Sequence, residues 1–224
     1  MMLDRERHLS QEECDLYLSA GVFVDSDHPK VRAFVEDTIT SDQSPKDRAI
    51  ALFHKVRDHF RYNPYAVRLE PEQMKASVIL ESRKTFCVPK AIVLTAAARA
   101  AGIPARLGFS DVCNHLSPPG LLEVMRTEVF AFHGYAEMWL GGHWVKGSPA
   151  FDQNLCLGLG LAPLDFDGEH DALLHAYDAE GSRYMEYLHH YGSFADLPHA
   201  VMIAAWKHHY PHLFPIPEAT DDGA

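Results

Sequence analysis

The feature that most constrains this chain is residues 87–101, a run rich in alanine and closed by Gly102. Alanine has the highest helix propensity, and a glycine just past the last helical residue supplies the left-handed conformation that ends many helices. Ile103-Pro104 then forces extension, because a residue before proline is pushed out of the α region. A long helix is thereby fixed near the middle of the chain.

Helix starts precede it. Ser10-Gln11-Glu12-Glu13 has capping-box form. Pro29 opens a second helix with Val31, Phe34, Val35 and Ile39 on its apolar face. Ser44-Pro45-Lys46-Asp47 combines a cap, a proline and a first-turn acid, and Ile50, Phe53, Val56 and Phe60 follow at helical spacing. Asn63-Pro64 breaks that pattern, and a short helix is expected over 74–80. Beyond the central helix, alternation predicts strands at 105–109, 129–140 and 144–149, with Gly141-Gly142 as a hairpin turn. From about residue 164 the pattern turns helical again, at 184–190 and 200–209. The order is helices, one central helix, an antiparallel sheet, then more helices, which is an α+β arrangement.

At 224 residues a single domain is the expectation. It divides into an N-terminal helical part (1–62), a core (63–163), a C-terminal helical extension (164–217) and a small acidic tail (218–224) expected to fray. The formal charge of −11, from 20 basic and 31 acidic residues, disfavours nucleic-acid and anionic-membrane partners. No apolar run approaches the roughly 20 residues of a membrane span. The charged start, Leu3-Asp4-Arg5-Glu6-Arg7, is unlike a signal peptide, so a cytoplasmic location is expected. Cys14, Cys87, Cys113 and Cys156 form no CxxC pair and read as free thiols, with Cys113 and Cys156 as small core residues. The chain has 15 histidines. Among them His189, His190, His199, His208, His209 and His212 lack an HExxH or other ligand spacing and read as solvated helix residues, so no metal and no cofactor is expected. His115 suits a groove or a loop equally. Arg99, Arg106 and Glu137 read as structural pairing groups, and Trp139 and Trp144 as core anchors.

Cys87 stands apart. It lies where the central helix begins, with Thr85 available as a cap and Pro89 tolerated in the first turn. The positive end of a helix dipole favours thiolate, which predicts a pKa below the ordinary value of about 8.5 and a nucleophile at this position. His133, inside a predicted strand, becomes its base if that strand crosses the start of the helix.

Thr85-Phe86-Cys87-Val88-Pro89-Lys90-Ala91, followed by Ala97-Ala98-Arg99-Ala100-Ala101-Gly102-Ile103-Pro104-Ala105-Arg106, resembles the core of the transglutaminase-like superfamily. His133-Gly134-Tyr135-Ala136-Glu137 resembles that family's His-x-Trp-x-Glu strand, with Tyr for Trp. The run from Trp144 to Asp152 resembles its following strand, Trp-Val-x-x-Asp-Pro-Thr. Phe60-Arg61-Tyr62 and Ala76-Ser77-Val78-Ile79-Leu80 resemble the lead-in. The resemblance spans about residues 60–152. It implies a papain-like fold, a central helix on an antiparallel sheet with extra helices at both ends, and a Cys–His–Asp triad. The chemistry implied is attack by Cys87 on a carbonyl, with His133 moving the proton and an acyl-enzyme resolved by water or an amine. The expected substrate is a peptide, a protein or a small amide, and hydrolysis is preferred. This chain departs from the family at Ser148, which occupies the position of the triad Asp. Ser148 has the positional claim to orient His133, and Asp152, four residues on, has the chemical one. The alternative is a binding or scaffold protein that keeps the fold with a decayed triad.

Overall fold

In the computed structural model, residues 8–178 and 180–214 are described. Ser10 caps α1 (Gln11–Leu18) with both halves of the capping box formed. The second and third helices, α2 (Pro29–Glu36) and α3 (Pro45–His59), each carry proline in the first turn, and the Ser44 hydroxyl accepts the Asp47 N–H at the start of α3. The chain then forms β1 (Arg61–Tyr62), a 3-10 turn (Pro71–Met74), the short α4 (Ala76–Ile79) and β2 (Lys84–Thr85). β1 and β2 pair in parallel, with Tyr62 opposite Thr85.

The central helix, α5 (Cys87–Ala100), is buried continuously from Cys87 to Arg99. Small side chains make this possible, since a helix apolar on all faces must be enclosed on all faces. Gly102 follows it at φ +78°, the left-handed geometry its position requires. Thr85 does not cap α5. Phe86 is the N-cap and makes no side-chain capping bond, because Thr85 is committed to the β1–β2 pair.

On one side α5 meets α2, α3 and α4, and on the other it meets the sheet. The sheet holds β3 (Ala105–Asn114), β4 (Val129–Leu140), β5 (His143–Gly147) and β6 (Met185–Phe194) in the antiparallel order β5-β4-β3-β6. Gly141 and Gly142 turn the β4–β5 hairpin with φ of +56° and +85°. Two sequence expectations are corrected here. β3 runs past residue 109 to Asn114, since β4 and β6 flank it on both sides. Residues 184–190 are not helical: from Met185 they form β6. Tyr187, Tyr191 and Phe194 favour an extended backbone, and β3 offers that backbone a ladder.

Two short helices, α6 (Pro119–Met125) and α7 (Gln153–Gly158), lie in the connections, and α8 (His199–His209) packs on β4. One hydrophobic core joins Phe53 and Phe60 of the N-terminal part, Ile92 and Leu94 of α5, Phe109 of β3, and Met202 and Trp206 of α8. Arg99 ties the parts together, donating from Nε to Ala105 O (2.9 Å) and from Nη1 to Ser19 O (2.7 Å). Arg106 pairs with the buried Glu137 at 2.6 Å and lies 4.0 Å above the Trp144 ring. The expected tail, 218–224, falls outside the described residues.

Candidate active site

Cys87 is the first residue of α5, and β4 crosses that helix end at His133-Gly134. A Cβ built on Gly134 would lie 3.0 Å from Val88 Cα, 3.3 Å from the Phe109 ring and 3.4 Å from Ala91 Cβ. Glycine is therefore what lets the strand lie against the helix. Among the backbone N–H groups that favour the Cys87 thiolate is that of Gly134, the residue next to His133.

Strand β4 is locally unusual. Phe132, just before His133, has φ +61°, a strained conformation for a side chain of that size. It coincides with the register shift of β3 between Ser110 and Val112. The Phe132 N–H donates to Asp111 Oδ1 (2.9 Å), and Asp111 is held in turn by the Tyr191 hydroxyl (3.1 Å) and His209 Nε2 (3.3 Å). Phe132 is fully buried and stacks on Phe109 with centroids 4.3 Å apart. The bulge and its carboxylate thus set the direction of the chain where His133 begins.

His133 Nε2 is hydrogen-bonded to Ser148 Oγ at 3.1 Å, and both side chains are buried. Ser148 follows β5 and is fixed by its own N–H, which donates to Ala172 O (2.9 Å). Asp152 is engaged elsewhere. Its Oδ1 accepts the N–H groups of Asn154 (3.1 Å) and Leu155 (3.2 Å) as the cap of α7, and its Oδ2 accepts the Tyr62 N–H (2.7 Å). Both oxygens are thereby committed to backbone. Of the two residues weighed beside His133, the structure brings Ser148 to the ring.

The electrostatics run against the sequence expectation for the thiol. Burial pushes Cys87 up to about 11, although the N–H groups of Gly134, Val88 and Cys87 itself and the charge of Lys90 pull the other way. The helix end does favour thiolate, but desolvation of the charged form outweighs it. Burial likewise lowers His133 to about 4. Both shifts favour the neutral forms, thiol for Cys87 and imidazole for His133.

Lys90, one turn into α5, is fully buried. Its Nζ donates to Arg57 O (2.7 Å), Ala150 O (2.8 Å) and Phe60 O (3.3 Å), which uses all three ammonium protons. Burial lowers its pKa to about 7, against the opposing pull of Asp152 and Asp58. A lysine in an alanine-rich helix reads as surface, so the sequence carries no signal for this role.

Two adjoining cavities, of about 310 and 330 Å³, open onto the site. His133 lines the first and Cys87 the second, and Tyr62, Pro64, Tyr65, Leu121 and Phe130 line both. The walls are apolar, and Tyr62 brings a phenol whose ionisation is suppressed by burial and by the neighbouring Cys87. No helix among the described residues is long and apolar enough to cross a membrane.

Comparison with known proteins agrees with this architecture. A protein-glutamine gamma-glutamyltransferase from Pseudomonas aeruginosa is 26% identical over 129 residues, which are 55% of this chain and 18% of that protein. The chain thus spans less than a fifth of that relative's length. A crystal structure from Cytophaga hutchinsonii, described as that of a candidate cysteine protease, matches with a TM-score of 0.50 at 18% identity, covering 83% of this chain and 55% of that one. The periplasmic domain of TgpA from Pseudomonas aeruginosa matches with a TM-score of 0.47 at 21% identity, over 63% of this chain and 48% of that one. The family model described as Transglutaminase-like superfamily matches residues 32–149, more than half of the chain, and the protein belongs to that superfamily.

Proposed function

We propose that the protein is a thiol-dependent amide hydrolase or acyltransferase that works through an acyl-enzyme on Cys87. The observation that carries this reading is the packing of Gly134 of β4 against Val88 and Ala91 of α5, which brings the strand that carries His133 to the helix end that carries Cys87. Ser148 occupies Nε2 of His133, so Nδ1 is the nitrogen assigned to the thiol. The sulfur attacks the amide carbon as its proton passes to Nδ1, the oxyanion forms against the Cys87 N–H with the Tyr62 phenol as second donor, and the amine leaves with the proton from His133. Water or an amine then opens the thioester, and hydrolysis is the preferred outcome. In this scheme Ser148 orients the ring and Asp152 acts through the backbone it caps. The apolar cavity walls favour an uncharged acyl group flanked by apolar side chains on a peptide, protein or small amide. Four free cysteines accord with a reducing, cytoplasmic setting.

Ser148 in place of a carboxylate, together with the neutral thiol and imidazole, favours a second reading: a binding scaffold with a decayed triad. One experiment separates the two. The protein is incubated with a panel of peptide carboxamides and glutamine-containing peptides, with and without a primary amine, and quenched samples are analysed by intact-mass spectrometry. An acyl adduct absent from Cys87→Ala, with turnover of the amide, supports the enzyme. Peptide binding with no adduct and no turnover across the panel supports the scaffold.

A further inference from the structure

Near the end of β3, and with none of the proposed catalytic residues among them, Cys113, His115 and Glu128 each bring one donor atom to within 4.8 Å of the others. Cys113 Sγ lies 3.8 Å from His115 Nδ1 and 3.9 Å from Glu128 Oε2. Bonds of about 2.3 Å from a zinc ion to sulfur and about 2.0–2.1 Å to nitrogen or oxygen, at tetrahedral angles, hold such donors about 3.5 Å apart. Small side-chain rotations close that difference.

A second observation points the same way. His115 Nε2 is hydrogen-bonded to Glu186 Oε2 at 3.1 Å, and Arg183 Nη1 holds that same oxygen at 3.1 Å. A carboxylate on one ring nitrogen fixes the tautomer, so that Nε2 carries the proton and the Nδ1 lone pair faces Cys113 and Glu128. This is the outer arrangement that metal-bound histidines use. The backbone beneath the donors is tied down as well. Asn114 N donates to Glu128 O (3.0 Å), and His115 N donates to Tyr184 O (2.9 Å).

We propose that Cys113, His115 and Glu128 form a binding site for a zinc-class divalent cation, with Glu186 as the outer carboxylate on His115. Thiolate, imidazole and carboxylate together suit a borderline-soft ion and not calcium or magnesium, which take oxygen ligands. On binding, the Cys113 S–H bond breaks as the sulfur–metal bond forms, and the proton passes to solvent. Three protein ligands leave the fourth tetrahedral position to water. The ion straps the base of the excursion between β3 and β4, which carries α6 and its Leu121, a wall of both cavities. Its role is to stiffen that wall.

The test uses the Cys87→Ser protein, so that the proposed nucleophile contributes no thiolate and the result stands apart from the acyl-transfer reading. Metal-free protein is titrated with Co²⁺ and then with Zn²⁺. Expected are one Co²⁺ per chain, a thiolate-to-cobalt charge-transfer band with tetrahedral visible bands, their loss on adding Zn²⁺, and a higher Tm with Zn²⁺. Cys113→Ser abolishes the charge-transfer band, and Glu186→Gln weakens affinity about 10–100-fold. No charge-transfer band, or a band that persists in Cys113→Ser through Cys14 or Cys156, overturns the proposal. If Cys113→Ser does not fold, Glu186→Gln decides, and unchanged affinity in that variant overturns it.

Discussion

Ser148 Oγ lies 3.1 Å from His133 Nε2, so a neutral hydroxyl takes the place beside the imidazole where the superfamily carries a carboxylate. A hydroxyl can hold the ring and fix its tautomer, but it adds no charge to stabilise an imidazolium. Removing it leaves a buried ring nitrogen without its partner, which should cost about 1–3 kcal/mol, or roughly 5- to 150-fold in kcat/KM. Ser148→Ala measured beside the wild type on any amide that the protein is found to turn over checks this. A loss of a thousandfold or more would mean that Ser148 does more than orient the ring.

The resting thiol is expected to be protonated. With Cys87 near 11 and His133 near 4, the rate of iodoacetamide labelling at Cys87 should climb steadily with pH across the neutral and alkaline range. Peptide mapping at a series of pH values reads it. A fast rate that stays flat from about pH 5 to pH 8 would reveal a preformed thiolate–imidazolium pair instead.

His133 also makes folding pH-dependent. Its pKa is about 4 when folded against 6.5 as the reference value, so between these values the unfolded chain takes up the proton first. Stability from this group is complete above about pH 6.5, falls as the pH drops, and by pH 4 has lost on the order of 3 kcal/mol. Urea unfolding of the wild type and of His133→Gln at about pH 7 and about pH 4.5 isolates the term, since all other titrating groups are common to both. The variant should lose less stability on acidification.

Gly134 is expected to tolerate no side chain. Its built Cβ stands 3.0 Å from the Val88 backbone, which cannot swing aside as a side-chain tip can. Gly134→Ala should destabilise by about 1–3 kcal/mol through overpacking. By prising β4 from the start of α5 it should also change Cys87 labelling. A melt and a labelling time course on the same sample test both, and an unchanged labelling rate would uncouple the crossing from the thiol.

Lys90→Met replaces the buried ammonium with an apolar side chain of similar length. Three carbonyls, of Arg57, Phe60 and Ala150, then lose a donor. At about 1–3 kcal/mol for each unsatisfied group, offset by the methionine's own burial, a net loss of about 3 kcal/mol is expected in urea. A variant as stable as the wild type would show that the carbonyls find other partners.

Much of this protein was legible from local sequence. The capping box at Ser10, the Ser44 cap and the prolines placed α1, α2 and α3, the alanine run and Gly102 placed α5, and Gly141-Gly142 placed the hairpin. These signals act through the backbone of a few neighbouring residues, so they survive without knowledge of the fold. The motifs around Cys87, His133 and Trp144 carried the family by their resemblance to it. What local sequence could not decide was whatever depends on a distant partner. Residues 185–194 became a strand because β3 offered a ladder. Asp152 became a cap with both oxygens on backbone, and so left Ser148 with the ring. The helix dipole at Cys87 was predictable, yet burial overrode it, and burial exists only once the sheet has closed on α5. Desolvation is a property of the packed molecule, and no spacing of residues along a chain encodes it.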